Sequence, residues 1–112
     1  MLDGPAFAAE VEGWTVEFTL RGAFFGRERY LPDGEVLWQT ADGQCLRGRW
    51  LPAADLICFS YEDDPDDVRC WQVTREPEGV SARVPGTPED EVLRESGRHR
   101  APLNCPGPAL GV

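Results

Sequence analysis

The chain has 112 residues, 41% of them apolar, and carries 20 Asp and Glu against 11 Arg and no Lys, a net charge of −9. That length holds one compact domain around one core and excludes a two-domain arrangement. No stretch approaches the roughly eighteen apolar residues of a membrane-spanning helix, and the acidic balance leaves no basic surface to track a nucleic-acid backbone.

An Asp3-Gly4 start signal precedes Pro5-Ala6-Phe7-Ala8-Ala9-Glu10-Val11, in which Phe7 and Val11 stand one helical turn apart, and Gly13 ends the pattern. The spacing predicts a short amphipathic helix within residues 1–13. Beyond it the period changes to two. Alternating segments run over Thr15–Leu20, Gly26–Leu31, Glu35–Thr40, Gln44–Leu51, Asp55–Tyr61, Val68–Arg75, Gly79–Val84 and Glu91–Glu95. Between them stand Arg21-Gly22, Pro32-Asp33-Gly34, Ala41-Asp42-Gly43, Pro52-Ala53-Ala54, Asp64-Pro65-Asp66, Pro77-Glu78-Gly79 and Pro85-Gly86-Thr87-Pro88, residue types suited to tight reversals. Connections this short join antiparallel neighbours, and such a meander removes its edges by closing on itself. The fold expected is all-β: an eight-stranded antiparallel up-and-down barrel over residues 14–95, with an extended tail over 96–112 fastened by Cys105.

The alternation also specifies a register, because a slip of one residue turns every side chain to the other face. Turning at Pro32-Asp33-Gly34 sets Tyr30 opposite Val36 and Glu28 opposite Trp38; turning at Asp42-Gly43 sets Trp38 opposite Leu46. Placing Trp50 opposite Ile57, and Ile57 opposite Trp71, gathers Trp50, Ile57, Phe59, Tyr61 and Trp71 on the inner face. Arg27, Arg29, Leu37, Gln39, Arg47, Arg49, Arg69 and the cysteines Cys45, Cys58 and Cys70 are expected on the outer one.

The four cysteines are separated by 13, 12 and 35 residues, which fits neither a paired zinc-site spacing nor a redox CxxC. Two disulfides are expected. The register puts Cys58 directly across a hairpin from Cys70, leaving Cys45 for Cys105 and tying down the tail. Disulfides imply an oxidising compartment, the periplasm or the extracellular space. Residues Met1-Leu2-Asp3-Gly4 have neither the basic nor the apolar region of a signal peptide, so the expectation is a chain that starts after a removed signal.

Several stretches together resemble a family of small lipocalin-like, or calycin-like, periplasmic proteins of unknown function from proteobacteria. They are Gly26-Arg27-Glu28-Arg29-Tyr30, Val36-Leu37-Trp38, Gly43-Gln44-Cys45-Leu46-Arg47-Gly48-Arg49-Trp50, Ile57-Cys58-Phe59-Ser60-Tyr61-Glu62, Cys70-Trp71 and Leu103-Asn104-Cys105-Pro106-Gly107-Pro108. Gly48-Arg49-Trp50 also looks like the G-x-W of lipocalins, where it belongs to the first strand; here it falls in mid-chain. The resemblance implies a secreted barrel and assigns no activity.

Chemistry-bearing residues are few. Glu28 is the most informative, since the register aims its carboxyl into an aromatic interior, where burial raises its pKa. It is either a functional group or an acid satisfied by an Arg, Tyr30 or an indole. Trp38, Trp50, Trp71, Phe59, Tyr61 and Tyr30 either wall a cavity for one small molecule or fill the barrel solidly. Glu62-Asp63-Asp64-Pro65-Asp66-Asp67 has the oxygen chemistry for a hard cation but not the ligand periodicity or glycine of a calcium loop, and reads as solvated turn charge. His99 lies between Arg98 and Arg100 in the expected tail. Ser60, Ser81 and Ser96 have no nucleophile-elbow context. No metal or cofactor is expected. The reading is a non-enzymatic module that binds a small apolar or amphipathic ligand through Glu28, Tyr30, Trp38, Trp50, Phe59, Tyr61 and Trp71. The alternative is a filled barrel that binds another envelope protein through its outer surface.

Overall fold

The computed structural model describes residues 1–106 and forms one helix followed by a closed antiparallel barrel whose eight strands lie in sequence order. Helix α1 (Gly4–Val11) precedes β1 (Thr15–Leu20), β2 (Ala23–Tyr30), β3 (Glu35–Thr40), β4 (Cys45–Ala53), β5 (Leu56–Tyr61), β6 (Asp64–Glu76), β7 (Gly79–Arg83) and β8 (Leu93–His99). The up-and-down barrel expected from the strand spacing is the fold observed. Pairing of β8 with β1 closes the sheet.

Local chemistry accounts for the helix. Asp3 caps it, its carboxylate accepting a hydrogen bond of 2.9 Å from the Ala6 amide, and Pro5 occupies the first turn, where its missing N–H is no loss. Phe7 and Val11 are buried, so α1 lays its apolar face over one end of the barrel. There the Phe7 ring meets Tyr30, Trp50 and Phe59 edge-on, with centroids 5.5, 5.0 and 6.2 Å away. The Arg98 guanidinium donates to the Glu10 carbonyl at 2.9 Å, bringing a cation to the helix C-terminus.

The inner strands keep the expected register: Tyr30 faces Val36, Glu28 faces Trp38, and Trp38 faces Leu46. Several details differ, four of them in the register and facing of β2 to β6. First, Arg21 and Gly22 both take positive φ, a two-residue hairpin turn that starts β2 at Ala23 rather than Gly26 and brings Phe24 and Phe25 into the strand. Second, β4 extends through Pro52 to Ala53, so Trp50 pairs with Phe59 and Pro52 with Ile57; the two-residue shift keeps Trp50 on the inner face. Third, the β5–β6 reversal falls at Glu62-Asp63, not at Asp64-Pro65-Asp66, and a bulge between Phe59 and Tyr61 absorbs the difference. Fourth, Arg69 faces inward, because its neighbour Cys70 faces outward and side chains alternate along a strand.

Beyond β8, which runs four residues past the expected Glu95, the chain crosses the outside of β1–β3. Thr15 Oγ1 donates to the Ala101 carbonyl (2.8 Å), Arg29 to the Arg100 carbonyl (2.9 Å) and Gln39 Nε2 to the Asn104 carbonyl (2.9 Å). Leu103 packs on Leu37 and Cys45, forming a small second core on the outer face. Residues 107–112 of the expected tail, including Gly107 and Pro108, lie outside the described residues. Both expected disulfides are present: Cys45–Cys105 spans 5.8 Å between Cα atoms, and Cys58–Cys70 bridges directly opposed residues of β5 and β6.

Candidate functional site

Inward side chains do not fill the barrel. A cavity of about 310 Å³ remains, floored by Phe7 of α1 and walled by residues of all eight strands. Six of the seven residues expected to bind a ligand border it: Glu28, Tyr30, Trp38, Phe59, Tyr61 and Trp71. Trp50 does not. It lies at the helix-covered end, where its ring abuts Phe7 instead.

Two glycines shape the wall. A Cβ at Gly48 would sit 2.5 Å from Cδ1 of Tyr61 and a Cβ at Gly26 2.5 Å from Cζ2 of Trp38, so each aromatic ring lies flat across a strand only because that strand bears no side chain there. With its ring so placed, Tyr61 donates its hydroxyl to Glu28 Oε2 at 2.6 Å. Tyr30 makes a second hydrogen bond to the same carboxyl.

Glu28 is 4% exposed. Burial pushes its pKa up to about 8, the two tyrosine hydrogen bonds opposing the shift without cancelling it. At neutral pH the cavity therefore contains a carboxylic acid rather than a carboxylate. Burial, and then the facing Glu28, push the Tyr30 and Tyr61 hydroxyls above the usual tyrosine range, so both remain hydrogen-bond donors. Behind Tyr30, Glu95 and Arg98 of β8 form a two-bond ion pair of 2.7 and 2.8 Å.

The opposite end from α1 is the mouth. Phe25, 39% exposed, leans on Trp38 with ring centroids 5.7 Å apart. Asp63, Asp64, Asp67 and Arg69, all exposed, complete the rim, and Arg69 pairs with Asp67 at 3.8 Å. Phe25 lies outside the segment that alternation marks as a strand, although a tight turn at Arg21-Gly22 forces pairing to resume at once. The rim aspartates are solvated, as turn charge predicts, and they also frame the cavity.

Other singled-out residues lie elsewhere. His99 belongs to β8, not to the tail, and its Nε2 stands 4.0 Å from Glu17 Oε2 on the outer surface. Ser81 is buried and donates to Glu76 at 3.0 Å. Among the described residues no group of three or more His, Cys, Asp or Glu is placed to hold a metal ion, and no helix is long and apolar enough to cross a membrane.

The fold and site thus define a small disulfide-bonded β-barrel with an aromatic cavity around a buried acid. No protein-family model, curated protein or solved structure matches the chain. The paired cysteines point to an oxidising location outside the cytoplasm.

Proposed function

We propose that this chain is a non-enzymatic binding module, lipocalin-like in kind and periplasmic or secreted, that holds one small apolar or amphipathic molecule inside the barrel. The observation that carries the reading is the cavity of about 310 Å³, bordered mainly by aromatic and aliphatic side chains around the convergent polar group Glu28–Tyr30–Tyr61. That combination is what ligand sites are made of: apolar walls for affinity and a few fixed polar atoms for orientation. An interaction protein with a filled barrel has no use for such interior space.

Titration with the uncharged fluorophore phenylnaphthylamine tests the proposal. It should bind saturably at one site per chain and quench indole fluorescence, since Trp38 and Trp71 border the cavity. Ala82→Phe, which pushes a ring into the cavity from β7, should abolish binding while the chain still folds. Undiminished binding to folded Ala82→Phe, or no saturable binding to the unaltered chain, would refute the reading.

A further inference from the structure

We propose that the molecule held in the barrel is a cationic amphiphile, an ammonium head on a short apolar body, and that its head sits against Glu28 and displaces the proton of that acid. The inference rests on the binding reading above and adds the ligand's charge and the exchange that accompanies it.

Three features of the same space converge on a cation. Glu28 is the buried acid that borders the cavity, held by hydroxyls from two strands, and it accepts the Tyr61 hydrogen bond at 2.6 Å. Tyr30, Trp38, Phe59, Tyr61 and Trp71 line the same cavity, rings of the kind whose negative faces attract an ammonium group in a dry site. The rim sets three carboxylates, Asp63, Asp64 and Asp67, against one guanidinium, Arg69, which is already engaged by Asp67. An anionic head would have to pass that acidic rim; a cationic head is drawn to the rim and, once Glu28 gives up its proton, pairs with the carboxylate inside.

The exchange balances simply. Protonated Glu28 and a quaternary ammonium ion become a carboxylate–ammonium pair, and the proton leaves to bulk water. Tyr30 and Tyr61 stay protonated, Asp63, Asp64 and Asp67 stand at the rim with Arg69, and Glu95 is paired with Arg98 behind Tyr30. Glu28 is therefore the group that yields the proton.

Displacement of phenylnaphthylamine by octyltrimethylammonium, octanol and octyl sulfate, in the disulfide-intact chain, tests the proposal. The head of octyltrimethylammonium keeps its charge at every pH, so any pH dependence comes from the protein. It should displace the probe at concentrations about tenfold below those of octanol near neutral pH, and octyl sulfate should be the weakest. Its affinity should climb by up to about tenfold per pH unit up to about pH 8, with a proton released on binding. In Glu28→Gln, which keeps the shape of the side chain, and with displacement referred to that variant's own affinity for the probe, that slope and the advantage over octanol should both vanish. Octanol or octyl sulfate binding as tightly as the ammonium, or a slope that survives in Glu28→Gln, would overturn the cation assignment and leave the binding module standing. Failure of phenylnaphthylamine itself to bind would overturn both.

Discussion

A carboxyl group that keeps its proton to about pH 8 is a burden on the fold as well as an instrument of the site. In the unfolded chain Glu28 titrates near 4.5; in the folded barrel it holds its proton to about 8. Between those values the native state binds more protons, so its stability is greatest below the lower value and declines as pH rises through the upper one. Glu28→Gln removes this dependence. Urea unfolding of both proteins across the range should show the variant gaining on the parent with rising pH, by a few kcal/mol from end to end, since each unit of pKa difference is worth about 1.4 kcal/mol. Parallel curves would mean that the acid is not desolvated.

At the level of elements, the barrel has a weak seam and a side chain that mends it. Strand β7 pairs with β8 at only two positions, Ser81–Arg94 and Ala82–Leu93, whereas β1 pairs with β8 at six. Past the short ladder, Glu95 Oε1 accepts the Val80 amide at 3.0 Å, supplying from a side chain the acceptor that the neighbouring backbone does not. The same carboxylate, 3% exposed, holds Arg98, which in turn reaches the Glu10 carbonyl of α1. One residue thus joins β7, β8 and the helix lid. Glu95→Ala leaves the Val80 amide unsatisfied and strips Arg98 of its buried partner, a loss of about 3 kcal/mol or more. Amide exchange should accelerate first at Val80 and in α1, and uniform acceleration across the barrel would show that the seam is not locally weak.

For the whole molecule, the disulfides do different work. Cys58–Cys70 closes a hairpin with a sequence separation of 12, whereas Cys45–Cys105 closes a loop of 60 that contains the four strands β5 to β8 and pins a tail across the outer face of β1–β3. The loop-entropy estimate gives about 3 and about 4 kcal/mol respectively. The second bridge also keeps Leu103 over Leu37, an outward-facing residue only 2% exposed. Replacing Cys45 and Cys105 together by Ser should therefore lower the melting temperature more than replacing Cys58 and Cys70, and should expose Leu37 to an apolar dye. An equal or smaller decrease for the long-loop pair would show that the tail contributes nothing beyond its tether.

Much of this architecture is local in origin and was legible in the chain. Alternation in Glu28-Arg29-Tyr30 and Val36-Leu37-Trp38, punctuated by Pro32-Asp33-Gly34, settles which residues face each other; turn chemistry and side-chain period act over a few residues and need no distant partner. From that register came both disulfides and an inward Glu28. The facing of Arg69 follows by parity from that of Cys70, whereas the bulge at Phe59/Tyr61 was less accessible, because an extra residue in a ladder carries no compositional mark. Trp50 shows the same limit. Its inward face followed from sequence parity, but its distance from the cavity depends on where α1 lies, and Phe7 announces only an apolar helix face. The cavity belongs wholly to the tertiary structure, since an empty space is what remains after eight strands and a helix have closed and every ring has found its place. No residue encodes that remainder alone, and the high pKa of Glu28 follows from it, because desolvation is a property of the surroundings and not of the side chain.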